Sequence, residues 1–197
     1  AQCLVGSEMC IRDRYNKPQE NRGSFERRQE IPMKKRVLSL LVDNTSGVLS
    51  RVAGLFSRRG YNIDSLTVGE TADPRYSRMT VVVNGDQQIL DQITKQLAKL
   101  VDVVDIKQLA EGESVTRELV LVKVRVGREN RQDVMSIANV FRAKIIDVGV
   151  DSLIIELTGT ESKIEAFFKL LADYEILELA RTGMTGLSRG AEDVRYL

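Results

Sequence analysis

The feature that most restricts the fold is an internal repetition. Twice a strand-like run passes through glycine into an amphipathic helical run: VVVNGDQQILDQITKQL (81–97) and IIELTGTESKIEAFFKLL (154–171). Each copy sits in the same order of elements. In the first unit RVLSLLV (36–42) has the length and Val/Leu content of a buried strand. Residues 46–59 then place Val48, Leu49, Val52, Ala53, Leu55 and Phe56 at helical spacing. Next come YNIDSLTVG (61–69) and SRMTVVVNG (77–85), two predicted strands turning around Ala72, Asp73 and Pro74. Asp86 can cap a second helix bearing Ile89, Leu90, Ile93, Leu97 and Leu100, and VDVVDIKQL (101–109) closes the unit. The second unit reads the same way: strand 117–126, helix 133–142, a hairpin of AKIIDVGV and SLIIELTG around Asp151, helix 161–172 and strand YEILELAR.

The predicted order is therefore β-α-β-β-α-β, twice. That is an α+β fold of two ferredoxin-like sandwiches, each of roughly 75 residues. The first domain spans 33–110, a small polar linker 111–116, and the second domain 117–197. Neither unit alone buries much surface, so docking or oligomerisation is expected to stabilise both. Residues 1–32 show neither apolar period and are expected to be a disordered leader. Its opening, CLVGSEMCIRDRY, resembles translated cloning read-through, and Met33 reads as a natural start.

Composition removes several kinds of function. The net charge of +1 gives no basic field for nucleic acid or anionic membrane, and no run of 18 apolar residues spans a bilayer. There is no histidine, and the two cysteines, Cys3 and Cys10, lie in the first ten residues. A Cys/His zinc site, a Ser-His-Asp triad and a Cys-His pair are thus excluded from the body of the chain. An enzyme acting alone is disfavoured, because the commonest general base is missing. Asp151, Glu156 and Glu161 show no convergent metal-ligand spacing, so no metal site is expected. A reducing cytosol fits the absence of cysteine from the folded part.

The stretch DNTSG (43–47) is where the first strand stops and the first helix begins. A helix start leaves backbone N–H groups without intrahelical partners at the positive end of the dipole. Two readings stand: Asn44 or Ser46 is simply the N-cap, or the loop holds a small carboxylate or phosphate. It is not a nucleotide loop, having one glycine and no Gly-Lys pair. Asn62, with a donor and an acceptor, and Ile63 with its apolar side chain are the further groups that an α-amino acid would need.

The residues VDNTSGVLSRVAGLFSRRGYNIDSLTVG, SRMTVVVNGD and QLAKLVDVVDI, with FRAKIIDVG and the tail ARTGMTGLSRG, resemble the ACT-domain regulatory small subunits of acetolactate synthase over Met33 to about Arg189. The resemblance implies a non-catalytic partner of a large subunit that carries thiamine diphosphate, magnesium and FAD. It implies activation of that subunit and feedback inhibition by valine, in cytoplasmic valine and isoleucine biosynthesis. The effector is expected between two ACT domains of a homodimer, on Asn44, Ser46, Gly47, Val48, Leu49, Asn62, Ile63 and Gly69. This chain itself is expected to hold no cofactor. The second domain, whose corresponding loop Val126, Gly127, Arg128, Glu129, Asn130 is longer and more charged, is not expected to bind valine.

Other groups carry blander expectations. Arg51, Arg58 and Arg59 form a solvated helix face or a contact with the catalytic subunit, residues 75–78 serve the hairpin, and Asp43 and Asp64 are read as exposed strand-end carboxylates, with assistance to an ammonium group as the alternative. Three other functions compete with the first. A tandem sensor of another enzyme would lack the GLSRG tail. An RNA-binding domain would stack bases on sheet aromatics, which RVLSLLV and RMTVVVN do not contain. A free-standing enzyme lacks convergent acid and base groups.

Overall fold

The computed structural model describes residues 34–191. The expected leader, with both cysteines, and the last six residues lie outside the described residues. The first domain runs β1 (Lys34–Asp43), α1 (Val48–Arg58), β2 (Ile63–Glu70), β3 (Tyr76–Gly85), α2 (Gln87–Leu97) and β4 (Val103–Gln108). The second runs β5 (Ser114–Arg125), α3 (Arg131–Val140), β6 (Lys144–Val148), β7 (Ser152–Gly159), α4 (Glu161–Leu170) and β8 (Ile176–Arg181), followed by β9 (Thr185–Ser188). The sheets have the strand orders β2-β3-β1-β4 and β6-β7-β5-β8, and β9 pairs with the start of β5. These are the two βαββαβ sandwiches expected from the repetition.

Strand alternation decides which face is covered. Leu38, Leu40 and Val42 of β1 and Met79, Val81 and Val83 of β3 pack with Val52 and Phe56 of α1 and Leu90, Ile93 and Leu97 of α2. The second core repeats this with Val120, Val122 and Val124 against Val134, Ala138, Ile164 and Phe167. Phe167 meets the Phe141 and Phe168 rings edge-on at 5.4 and 5.9 Å, the favoured offset for aromatic quadrupoles. In the first sheet Ser39, Leu41, Thr80 and Val82, on the face away from the helices, are also buried.

Asp86 caps α2 as expected, its Oδ1 accepting the Ile89 N–H at 2.8 Å. Two expectations need correction. Neither Asn44 nor Ser46 caps α1: the N-cap is Gly47, at φ 86°, and no side chain caps the helix. The second correction concerns the linker. β5 begins at Ser114, so Ser114, Val115 and Thr116 are strand, because 114–117 pair with β9. β9 is four residues of the tail and has no apolar period of its own, so pairing rather than local pattern makes it a strand.

The domains meet through a few polar ties. Lys35 pairs with Glu161, and the hydroxyls of Ser65 and Thr67 bind the backbone of Met184. Glu118, 6% exposed, is held by Arg181 through two bonds of 2.7 Å, and this keeps a buried carboxylate compensated. The carboxylate bonds hold the Arg181 guanidinium above its usual range.

Candidate functional site

β1 delivers the chain to the loop at Asn44, and α1 leads away from it at Val48. Asn44 faces the β2–β3 hairpin: its Nδ2 donates to the Pro74 carbonyl at 2.9 Å, and its Oδ1 accepts from Ser77 Oγ at 3.0 Å. The side chain therefore fixes the loop. Asp73, which anchors the same hairpin, takes bonds from Arg75 that hold its carboxyl below the usual range. Beyond Asn44 the amides of Thr45, Ser46 and Gly47 have no partner among the described residues. All three residues are exposed, so these donors face solvent at the positive end of α1.

Gly47 is favoured by its conformation, and a side chain there would press only on the flexible Arg51. The Gly47 φ of 86° strains any L side chain, and a Cβ there would lie 3.3 Å from Arg51 Nη1. Arg51, half exposed, is an ion-paired cation. Its Nε and Nη2 donate to Asp102 at 2.6 and 2.8 Å, which ties α1 to the start of β4. With that guanidinium neutralised, the loop's attraction for an anion comes chiefly from the free amides and the helix end. Val48 is 2% exposed and belongs to the core, so it contributes its backbone, whereas Leu49, 44% exposed, presents an apolar side chain at the surface.

The remaining candidates divide by position along β2. β1 and β2 both pair antiparallel to β3 and so run parallel to each other. Gly69 pairs with Arg78, which also pairs with Leu41, next to the Val42–Ser77 pair, and so stands at the loop's end of the sheet. Ile63 pairs with Val83, which pairs with Arg36, so it stands at the opposite end. From Ile63 to Gly69 along a strand is about 20 Å. Asn62, exposed, donates to Asp64 Oδ1 at 2.9 Å at that far end. Within one chain the structure thus brings Asn44, Ser46, Gly47, Val48, Leu49 and Gly69 to one end and Asn62 and Ile63 to the other. β2 is an edge strand, unpaired on its outer side among the described residues.

Sequence reasoning missed two groups here. The Arg51–Asp102 clamp gave no signal, since the partners are 51 positions apart. Ser65 and Thr67 did leave a trace: two hydroxyl residues alternate on an edge strand, although nothing local names their partner. Among the described residues no group of three Asp, Glu, Cys or His side chains is placed to hold a metal.

Tandem sandwiches with helices on one sheet face and a glycine-led loop at the first helix place the chain among ACT-domain proteins. Residues 38–105 match the family model for the AHAS small subunit-like ACT domain. Residues 117–190 match the model for the small subunit of acetolactate synthase, and the chain belongs to that family. It is 49% identical over 156 residues to a probable acetolactate synthase small subunit of Methanothermobacter thermautotrophicus, covering 79% of this chain and 93% of the relative. To the isozyme 3 small subunit of Escherichia coli it is 48% identical over 162 residues, covering 82% and 99%. The crystal structure of the Thermotoga maritima acetolactate synthase small subunit superposes with a TM-score of 0.75 at 43% identity, covering 80% of this chain and 99% of that one. The protein is therefore a regulatory small subunit, as the resemblance implied.

Proposed function

We propose that the protein raises the activity of the acetolactate synthase large subunit and makes it sensitive to valine, acting in the cytoplasm as a homodimer through its first domains. Thiamine diphosphate, magnesium and FAD then belong to the catalytic partner. What carries this reading is the division of the candidate site between the two ends of an unpaired edge strand. Two β2 strands paired antiparallel about a two-fold set the Ile63 end of one protomer beside the Gly69 end of the other. Each dimer then has two complete sites. The valine carboxylate takes the amides of Thr45, Ser46 and Gly47, while Asn62 Oδ1 accepts from the ammonium group. Leu49 and Ile63 form the apolar wall. Pairing also covers an edge that would otherwise recruit other strands.

The test is calorimetry of the isolated protein with valine, leucine and isoleucine, followed by reconstitution with the large subunit and measurement of acetolactate formed from pyruvate. Binding of valine, faster turnover on adding the small subunit, and inhibition by valine are expected. Absence of heat with all three amino acids would overturn the sensing role.

A further inference from the structure

Between the two site residues of β2, Ile63 and Gly69, the strand presents Ser65 and Thr67 on the face away from the helices, as their pairing with Val82 and Thr80 requires. Both hydroxyls are committed to one residue of the second domain. Ser65 Oγ accepts the Met184 N–H at 2.9 Å, and Thr67 Oγ1 donates to the Met184 carbonyl at 3.1 Å. Residues two apart on a strand share a face, so a single peptide segment is gripped on both its donor and its acceptor.

The segment around Met184 has little room to give. Gly183 has φ +83°, and the position of its absent Cβ is taken by Ser65 Oγ. A Cβ on Gly186 would lie 2.8 Å from both Leu109 Cδ1 and Thr116 Cγ2 and 3.1 Å from the Val115 carbonyl. Upstream, the Thr182 N–H donates to the Leu119 carbonyl at 3.0 Å; downstream, β9 pairs with residues 114–117. Met184 is thus a short span anchored at both ends to β5, the central strand of the second sheet. Elsewhere the contact between the domains includes polar features. It has the Lys35–Glu161 pair, with Lys35 half exposed, and a polar cleft of about 420 Å³ between Asp64 and Leu66 on one side and Glu118 and Arg181 on the other. Contacts of that kind leave domains free to shift relative to one another.

We propose that residues 182–186 are the coupling element of the subunit: they sense the position of β2 and pass it to β5 and so to the second domain. The inference rests on the reading of β2 as the effector strand. It assigns the GLSRG-bearing tail a mechanical role, because a shift of β2 on ligand binding or dimer closure must either carry Met184 with it or break two hydrogen bonds.

The decisive variant is Ser65→Ala combined with Thr67→Val, which removes both hydroxyls at nearly constant volume. In holoenzyme reconstituted with the large subunit, it should still activate and should bind valine with a Kd within about threefold of wild type. The activity remaining at saturating valine should rise at least about fivefold, the lower end of ordinary allosteric coupling. An unchanged inhibition curve would overturn the coupling role, and so would loss of valine binding, which would put the hydroxyls in the ligand site instead. Hydrogen exchange on the wild-type protein gives a second reading that no variant can spoil. Valine should change protection at the Met184 and Gly186 amides, and unchanged protection with valine bound would refute the proposal. A wild-type protein that neither binds valine nor is inhibited by it fails differently: the effector reading falls first and takes the coupling with it.

Discussion

Replacing Gly47 by aspartate tests the loop at its most exposed assumption, that its open amides hold a carboxylate. Two costs arise, and Gly47→Asn separates them. The first is conformational: φ is 86°, where L residues are disfavoured by about 1–2 kcal/mol, with Asn and Asp the most tolerant. Both variants carry it alike. The second is electrostatic and belongs to Asp alone. The new side chain cannot find full compensation in Arg51, which already holds both oxygens of Asp102. With the two charges taken as about 5 Å apart, it would repel a ligand carboxylate on the Thr45, Ser46 and Gly47 amides. Repulsion there runs from about 1 kcal/mol when screened as in water to about 3 kcal/mol at an effective dielectric of 20. That predicts valine binding about 5- to 150-fold weaker in Gly47→Asp than in Gly47→Asn. Calorimetry measures the ratio, and urea unfolding of both variants confirms that they share the backbone cost. Equal affinities in the two variants would refute the carboxylate assignment, since the added charge would then meet no like charge.

Three further outcomes are expected. Arg181→Met leaves the Glu118 carboxylate, 6% exposed, without its two bonds, and should lower the unfolding free energy by about 3 kcal/mol in urea, part of which returns in the double variant with Glu118→Gln. Val68→Lys puts a charge on the β2 edge, where Val68 is 47% exposed; sedimentation should show monomer and calorimetry no valine binding, with the circular dichroism of the fold retained. With no histidine, the thermal midpoint should stay nearly level from about pH 5 to 8. The Asp73 carboxyl, lowered by bonds from Arg75, contributes stability that is present above its usual range near 4 and lost as pH falls through its folded value. Lys35, raised by its bond to Glu161, contributes below about pH 10 and loses that contribution as pH rises further, so Lys35→Gln should flatten the alkaline limb.

The repetition made both sandwiches legible, because period-2 and period-3.6 apolar patterns are local quantities that the repeated elements keep. Asp86 was legible as a cap for the same reason: capping is settled within three residues. What escaped was set at long range. Arg51 and Asp102 meet only because α1 and the start of β4 share a sheet end, and β9 becomes strand only through β5. The start of α1 escaped for another reason. DNTSG holds several good capping side chains, but Asn44 is drawn to Pro74 and Ser77, and the left-handed glycine places the helix one residue later than a Ser46 cap would. For the site, residue types indicated a small zwitterion, yet no periodicity could tell that Asn62 and the loop lie at opposite ends of a strand. That follows from β1 and β2 being parallel with β3 between them.

The same topology, repeated, bears on why the proposed site falls in the first domain. Both domains start their first helix after the first strand, so both put a helix end at the same place in the sandwich. In the second domain two side chains of that loop make bonds nearby. Asn130 Oδ1 takes the Gly127 N–H at 2.6 Å, and Arg131 Nη2 spans to the Gly149 carbonyl at 3.0 Å. The N-cap Asn130 is right-handed, at φ −111°, and the turn folds back on itself. In the first domain the N-cap is the left-handed Gly47, the amides of Thr45, Ser46 and Gly47 have no partner among the described residues, and Asn44 is spent on the hairpin. The two helix starts differ in conformation and charge: a left-handed glycine opens the first, whereas a right-handed asparagine in a more charged loop opens the second. Grafting follows from this: Asn130→Ala in the second domain frees the Gly127 amide but leaves the turn right-handed, and should create no valine binding there.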